Sequence, residues 1–297
     1  MAKNARFDPE ILALFDGYVH GKLSRREFLE RAAGLTAAGV TAASVLAALN
    51  PDYALAQQID PDDPSISTSY KKYSSPKGAG VMQGYFARPA ETAHKLPGVV
   101  VVHENRGLNP YIEDVARRLA AAGFIAFAPD ALYPLGGYPG NDDDGRTLQR
   151  QRDAGEMIED FSAALDFLKD HPDSSGKVGI TGFCFGGGVV MRLAVERADL
   201  GAGVAFYGRH PAGSEAASIE APLLIHHGEL DERVNASWPE FRDGLDKTGK
   251  TYERFVYAGA NHGFHNDTTP RFDKESADQA WERSVDFFSR YLELPVQ

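Results

Sequence analysis

With 297 residues, 43% of them hydrophobic and 25% charged, the chain has the size and make-up of one large α/β domain plus an appendage. A formal net charge of −11 and the lack of any Lys/Arg-rich run exclude a surface built to neutralise nucleic-acid phosphates. The single cysteine leaves no internal disulfide and no structural Cys-based zinc site.

The amino-terminal region, residues 1–56, has two readings. Asp8-Pro9-Glu10 opens a short helix carrying Ile11, Leu12, Leu14, Phe15 and Tyr18. Ser24-Arg25-Arg26-Glu27-Phe28-Leu29 then resembles a twin-arginine export motif, followed by a mildly apolar stretch from Ala32 to Leu49 and a small-X-small site at Ala54-Leu55-Ala56. Gly34, Thr36, Gly39, Thr41 and Ser44 interrupt that stretch, so no permanent membrane span is expected. Export to the periplasm or beyond, with Gln57 as the first mature residue, is the favoured expectation. The alternative is a cytoplasmic protein whose uncleaved helical arm packs on the domain, because Ser24 and Glu27 also form a capping box.

Residues 57–65 form a polar, proline-broken linker, and the α/β pattern occupies 66–297. Ile66–Ser74 and Val81–Arg88 read as a hairpin, and Val99–Val102 as a strand buried on both faces. A helix over Pro110–Ala122 and a strand over Phe124–Ala128 follow. Leu132–Asp144 reads as a loop, with Tyr133 and Tyr138 facing a pocket and Asp142-Asp143-Asp144 in solvent. One long amphipathic helix is expected from Arg146 to Asp170. Strands ending at Tyr207, His226 and Tyr257 and a helix over Ala277–Leu292 complete a mostly parallel α/β sheet covered on both faces.

Cys184 sits in Gly182-Phe183-Cys184-Phe185-Gly186, after the apolar run Val178-Gly179-Ile180. A strand feeding a Gly-X-nucleophile-X-Gly turn and then a helix presents its central residue on a strained bend. Flanking glycines are needed because a Cβ there would collide with a neighbouring strand or helix. The helix N-terminal N–H groups favour a thiolate and can hold an oxyanion. A lone cysteine is otherwise most often a small buried hydrophobe. Downstream, Asp231 in Gly228-Glu229-Leu230-Asp231 and His262 in Ala260-Asn261-His262-Gly263 follow successive strands, in the order nucleophile, acid, histidine. Glu229 is the runner-up acid. A helix beginning near Asn235 or Ser237 has nearer caps, which frees Asp231 to orient the histidine. His226 and His227 point to opposite faces of a strand and suit metal clustering poorly.

From about Ile66 onward the chain resembles the dienelactone hydrolase (carboxymethylenebutenolidase) family of α/β-hydrolases. His103-Glu104, the Cys184 elbow, Gly228-Glu229-Leu230-Asp231 and His262-Gly263-Phe264 carry the resemblance. It implies Cys184 as nucleophile, His262 as base, Asp231 as its partner, Glu104 as a group modulating the thiol, and the Phe185 and Asn105 amides as an oxyanion hole. It also implies a small ester or lactone substrate and no metal or organic cofactor. Family members carry an arginine soon after the histidine, whereas here Phe264-His265-Asn266-Asp267 holds none before Arg271. Arg106, Arg146, Arg150 and Arg152 are the other candidate cations, with Tyr133 as a further substrate contact. The alternatives are a general carboxylesterase or thioesterase acting on uncharged substrates, and a redox-active thiol.

Overall fold

The computed structural model describes residues 7–36 and 39–295. Ala37 and Ala38, inside the expected apolar stretch, lie outside the described residues.

Eight strands form one sheet: β1 (Ile66–Ser75), β2 (Gly80–Pro89), β3 (Leu96–Val102), β4 (Ile125–Pro129), β5 (Ser174–Phe183), β6 (Ala202–Phe206), β7 (Leu223–Gly228) and β8 (Tyr252–Tyr257). Their spatial order is β1-β2-β4-β3-β5-β6-β7-β8. The β1/β2 and β2/β4 pairs are antiparallel, and every later pair is parallel. This is the α/β-hydrolase fold.

The run Val99–Val102 shows why both faces must be covered. Val100 and Val102 pack with Met157, Phe161, Leu165 and Leu168 of α6 (Ala154–Lys169) and with α7 (Phe185–Glu196). Val99 and Val101 face the opposite way, toward Ile112, Val115 and Leu119 of α4 (Pro110–Ala121) and toward Phe287 and Phe288 of α10 (Lys274–Tyr291). Successive β residues point to opposite faces, so a continuous apolar run demands two helical layers. Burying each large side chain contributes roughly 1.5–3 kcal/mol.

The expected long helix is two helices: α5 (Asp142–Gln149) and α6. Asp153 breaks the run because its side chain accepts the Glu156 N–H and starts α6 afresh. Asn141 caps α5 in the same way, so the acidic triplet is the first turn of a helix and not a solvated loop. Asp142 is buried there, paired with Arg106 and accepting from the hydroxyls of Tyr53 at 2.8 Å and Tyr138 at 3.0 Å. Beyond β7 come α8 (Glu232–Asn235) and α9 (Trp238–Lys247).

The N-terminal region folds as α1 (Pro9–Val19), α2 (Arg25–Ala32) and α3 (Ala42–Leu49). The Ser24/Glu27 capping box is present at the start of α2. The three helices share a small apolar core of their own, built from Ile11, Phe15, Val19, Phe28, Val45, Leu46 and Leu49. Arg25 and Arg26 face solvent. No helix among the described residues is long and apolar enough to cross a membrane.

Candidate active site

Strand order reverses at β3, which is followed in sequence by its neighbour on one side and in space by β5 on the other. In open α/β sheets this switch point leaves a crevice beyond the strands' carboxyl ends. His103 and Glu104 follow β3, Cys184 follows β5, Asp231 follows β7, and His262 lies beyond β8.

Cys184 caps α7 with φ 55° and ψ −110°, a left-handed conformation that few non-glycine residues adopt. The flanking glycines are obligatory on steric grounds. A Cβ on Gly182 would lie 2.3 Å from the Gly186 carbonyl oxygen, and one on Gly186 would lie 2.3 Å from that of Val102. Both clashes are with backbone, which has no room to yield.

His262 is buried, and its Nδ1 donates to Asp231 Oδ2 at 2.6 Å. Its Nε2 has no well-formed hydrogen bond and interacts with the Cys184 sulfur. Burial works against charge on the ring, but the Asp231 carboxylate and the sulfur outweigh it and raise the His262 pKa to about 10. Burial likewise pushes the Cys184 thiol up, yet the His262 and His20 imidazoles pull it down to about 5. Both shifts run in the direction that favours a thiolate beside an imidazolium.

His20 is the residue that sequence reasoning missed. It comes from the end of α1, and its Nε2 lies 3.3 Å from the Cys184 sulfur. The Arg233 Nη2 sits 3.1 Å from His20 Nε2 and 3.4 Å from His262 Nδ1. Donor atoms of His20, Cys184 and His262 lie within 4.8 Å of one another, close enough in principle for a metal. The fixed positive charge of Arg233 in that group suits a thiolate and opposes a dication.

The other expected residues fall as follows. Glu104 is buried and engaged by Arg106 and by Asn266 Nδ2 at 3.1 Å, with no hydrogen bond to Cys184 among the described contacts. Arg106 is locked between Glu104 and Asp142. Asn105 donates its side-chain amide to the Val19 carbonyl at 2.7 Å. A cavity of about 300 Å³ is lined by Val19, His20, Asn105, Phe185, Met157 and Gln149, together with Arg146, Arg150 and Arg152; it reaches the Cys184 neighbours His20 and Phe185 but is not lined by Cys184 or His262. A wider depression of about 580 Å³ along the start of α10 offers no nucleophile or histidine.

Within the cavity wall, Arg146 pairs with Asp143 and stacks over the Tyr18 ring at 5.4 Å. Arg152 pairs with Asp160 at 2.6 Å. Arg150 is exposed and has no carboxylate partner among the described residues; it donates only to Thr147 Oγ1 at 3.2 Å. Tyr133 and Tyr138 lie outside this cavity: Tyr133 packs against the α6 core and Tyr138 bonds Asp142. Arg271 is buried with its guanidinium over the Phe15 ring at 5.2 Å. His226 bonds Ser284 and Tyr257 on one face of β7, while His227 bonds His210 and Arg254 on the other.

Residues 82–292 match the model of the dienelactone hydrolase family. The chain belongs to that family. Like its relatives it is a hydrolase of the dienelactone hydrolase type. A Methylorubrum extorquens protein named "Putative carboxymethylenebutenolidase" is 33% identical over 233 residues, covering 73% of this chain and 79% of that protein. The Escherichia coli K12 "Putative hydrolase fragment YghX" is 62% identical over 105 residues, 35% of this chain and 90% of the fragment. Among solved structures, the dienelactone hydrolase-like promiscuous phosphotriesterase P91 from metagenomic libraries superimposes with a TM-score of 0.66 at 25% identity, over 76% of this chain and 99% of that one. A separate match, to a YqhI-like family, covers residues 2–36, so the arm carries a family resemblance of its own.

Proposed function

We propose that this hydrolase cleaves a small anionic ester or lactone through a covalent thioester on Cys184, with His262 as acid and base and Asp231 as its orienter. The observation that carries this reading is the 2.6 Å Asp231–His262 bond beside a thiol presented on a left-handed elbow.

The steps balance without any cofactor. The Cys184 thiolate attacks the carbonyl carbon, and the electron pair moves to the carbonyl oxygen, where the Phe185 and Asn105 amides would receive it. Collapse of this intermediate breaks the C–O bond, and the His262 imidazolium protonates the departing alkoxide. Neutral His262 then takes a proton from water, and the hydroxide formed attacks the thioester. The thiolate leaves, regenerating the resting pair and releasing the acid.

Arg150 supports an anionic substrate. A cation at a cavity mouth with no carboxylate of its own is suited to receive one from a ligand. Glu104, held by Arg106 and Asn266, is assigned to fixing the loop that carries the Asn105 amide. Of the two expectations for the arm, its polar contacts with the domain, Asn105 to the Val19 carbonyl and Tyr18 to Asp143, support an uncleaved arm, and N-terminal sequencing of the protein from its native host tests this against a chain that begins at Gln57.

The decisive experiment is Cys184→Ala assayed on activated esters with and without a carboxylate. Hydrolysis should be lost while the folded state persists. Retained turnover in this variant removes the nucleophile assignment. Cys184→Ser should keep little activity, because the site is arranged for an atom that ionises easily.

A further inference from the structure

The arm reaches the reaction centre through one helix end. His20 Nδ1 lies 2.8 Å from the Asp16 carbonyl oxygen and 3.1 Å from its carboxylate. Both are acceptors, so Nδ1 carries the hydrogen and Nε2 is left to face the sulfur at 3.3 Å. The arrangement places a second acid–imidazole pair beside the Asp231–His262 unit, the His20 and His262 rings meeting edge to face with centroids 4.9 Å apart, and its acid and imidazole lie four residues apart on one helical face.

The arm is fastened to the domain by specific polar contacts. Val19 accepts from Asn105 at 2.7 Å, Tyr18 donates to Asp143, and the Asp52 N–H donates to the Thr268 carbonyl at 2.7 Å. The cavity of about 300 Å³ stays open next to the arm, with Val19 and His20 as one wall. The arm thus walls the cavity without filling it.

We propose that His20 is a further catalytic residue: a second imidazole on the Cys184 sulfur, oriented by Asp16, that holds the resting thiolate and makes the N-terminal arm part of the working active site. The inference rests on Cys184 being the nucleophile. His20 carries no proton through the reaction; it supplies positive charge and an N–H to sulfur before attack and again when the thiolate departs from the thioester.

The groups facing His20 are Asp16 on its own helix and Cys184, His262 and Arg233 on the domain, with Asp231 and Arg271 just behind. When His20 is neutral, Arg233 donates to its Nε2. When it is charged, the guanidinium can turn to the Asp16 carboxylate, which its Nε already approaches at 3.5 Å. Burial lowers the His20 pKa, but the sulfur and Asp16 raise it more, so the net direction favours the imidazolium.

The test uses the full chain and the variants His20→Ala, His20→Gln and Asp16→Asn. Iodoacetamide alkylation of Cys184 is followed against pH, alongside hydrolysis of a carboxylate-bearing activated ester. Loss of the second imidazole should move the thiolate titration upward by about one unit, slowing alkylation below that titration about tenfold. Ester hydrolysis by His20→Ala should fall at least tenfold, and added imidazole should restore part of it, an effect that a purely structural side chain would not give. Asp16→Asn should move the alkylation profile in the same direction by less. An unchanged alkylation profile in both His20 variants overturns the proposal. Faster hydrolysis by His20→Ala also overturns it and makes the arm a plug. Alkylation needs no turnover, so failure here stays distinct from failure of the nucleophile reading, which Cys184→Ala reports.

Discussion

Asp231 holds His262 with one carboxylate oxygen and a helix with the other. Oδ2 receives His262 Nδ1–H at 2.6 Å, and Oδ1 accepts the Val234 N–H at 3.2 Å, capping the four-residue helix that follows β7. Capping and orienting therefore use the same side chain. The cap fixes the carboxylate, and the fixed carboxylate selects the His262 tautomer whose Nε2 faces sulfur.

Asp231→Asn should lower kcat by roughly 10²–10⁴, since an amide can donate to Nδ1 and reverse the tautomer. Asn is itself a good N-cap, so thermal unfolding should change little. Steady-state kinetics and a melting curve on the same preparation check both halves.

The pH dependence has a definite sign. With the thiol lowered to about 5 and His262 raised to about 10, the reactive ion pair exists between those values. Activity should rise as pH passes upward through about 5, where the thiolate forms, stay level near neutrality, and fall as His262 loses its proton near 10. An ascending limb near 8 or 9 in kcat/KM would contradict the ion pair.

Arg150→Ala should raise KM for an ester bearing a carboxylate by about tenfold, with kcat for that ester nearly unchanged, and leave a matched neutral ester unaffected. A uniform loss on both substrates would place Arg150 in the framework and not in recognition. Arg146 and Arg152 are tied to Asp143 and Asp160, so replacing either should cost stability before selectivity.

Asp142→Ala removes a carboxylate that is buried against Arg106 and receives two tyrosine hydroxyls. Breaking a buried ion pair from one side costs about 3–5 kcal/mol. The expected outcome is a clear fall in the denaturation midpoint, with Asp142→Asn intermediate because the amide oxygen still accepts from Tyr53 or Tyr138.

The sequence alone was sufficient for whatever short-range chemistry dictates. The eight strands, the Cys184 elbow and the downstream order of Asp231 and His262 are written in apolar runs, paired glycines and loop residues, each acting over a few neighbours. Its expectations failed where a polar side chain chose between two local uses: Asp153 capped a new helix within the expected long one, and Asp142 turned inward to Arg106. Tertiary structure alone decided that His20 meets Cys184 across 164 residues, that Glu104 is spent on Arg106 and Asn266, and that Arg150 keeps no carboxylate partner among the described residues. Local propensity sets which segments become helix or strand, but which distant side chains share a charge is settled only when the chain closes and those groups leave water together.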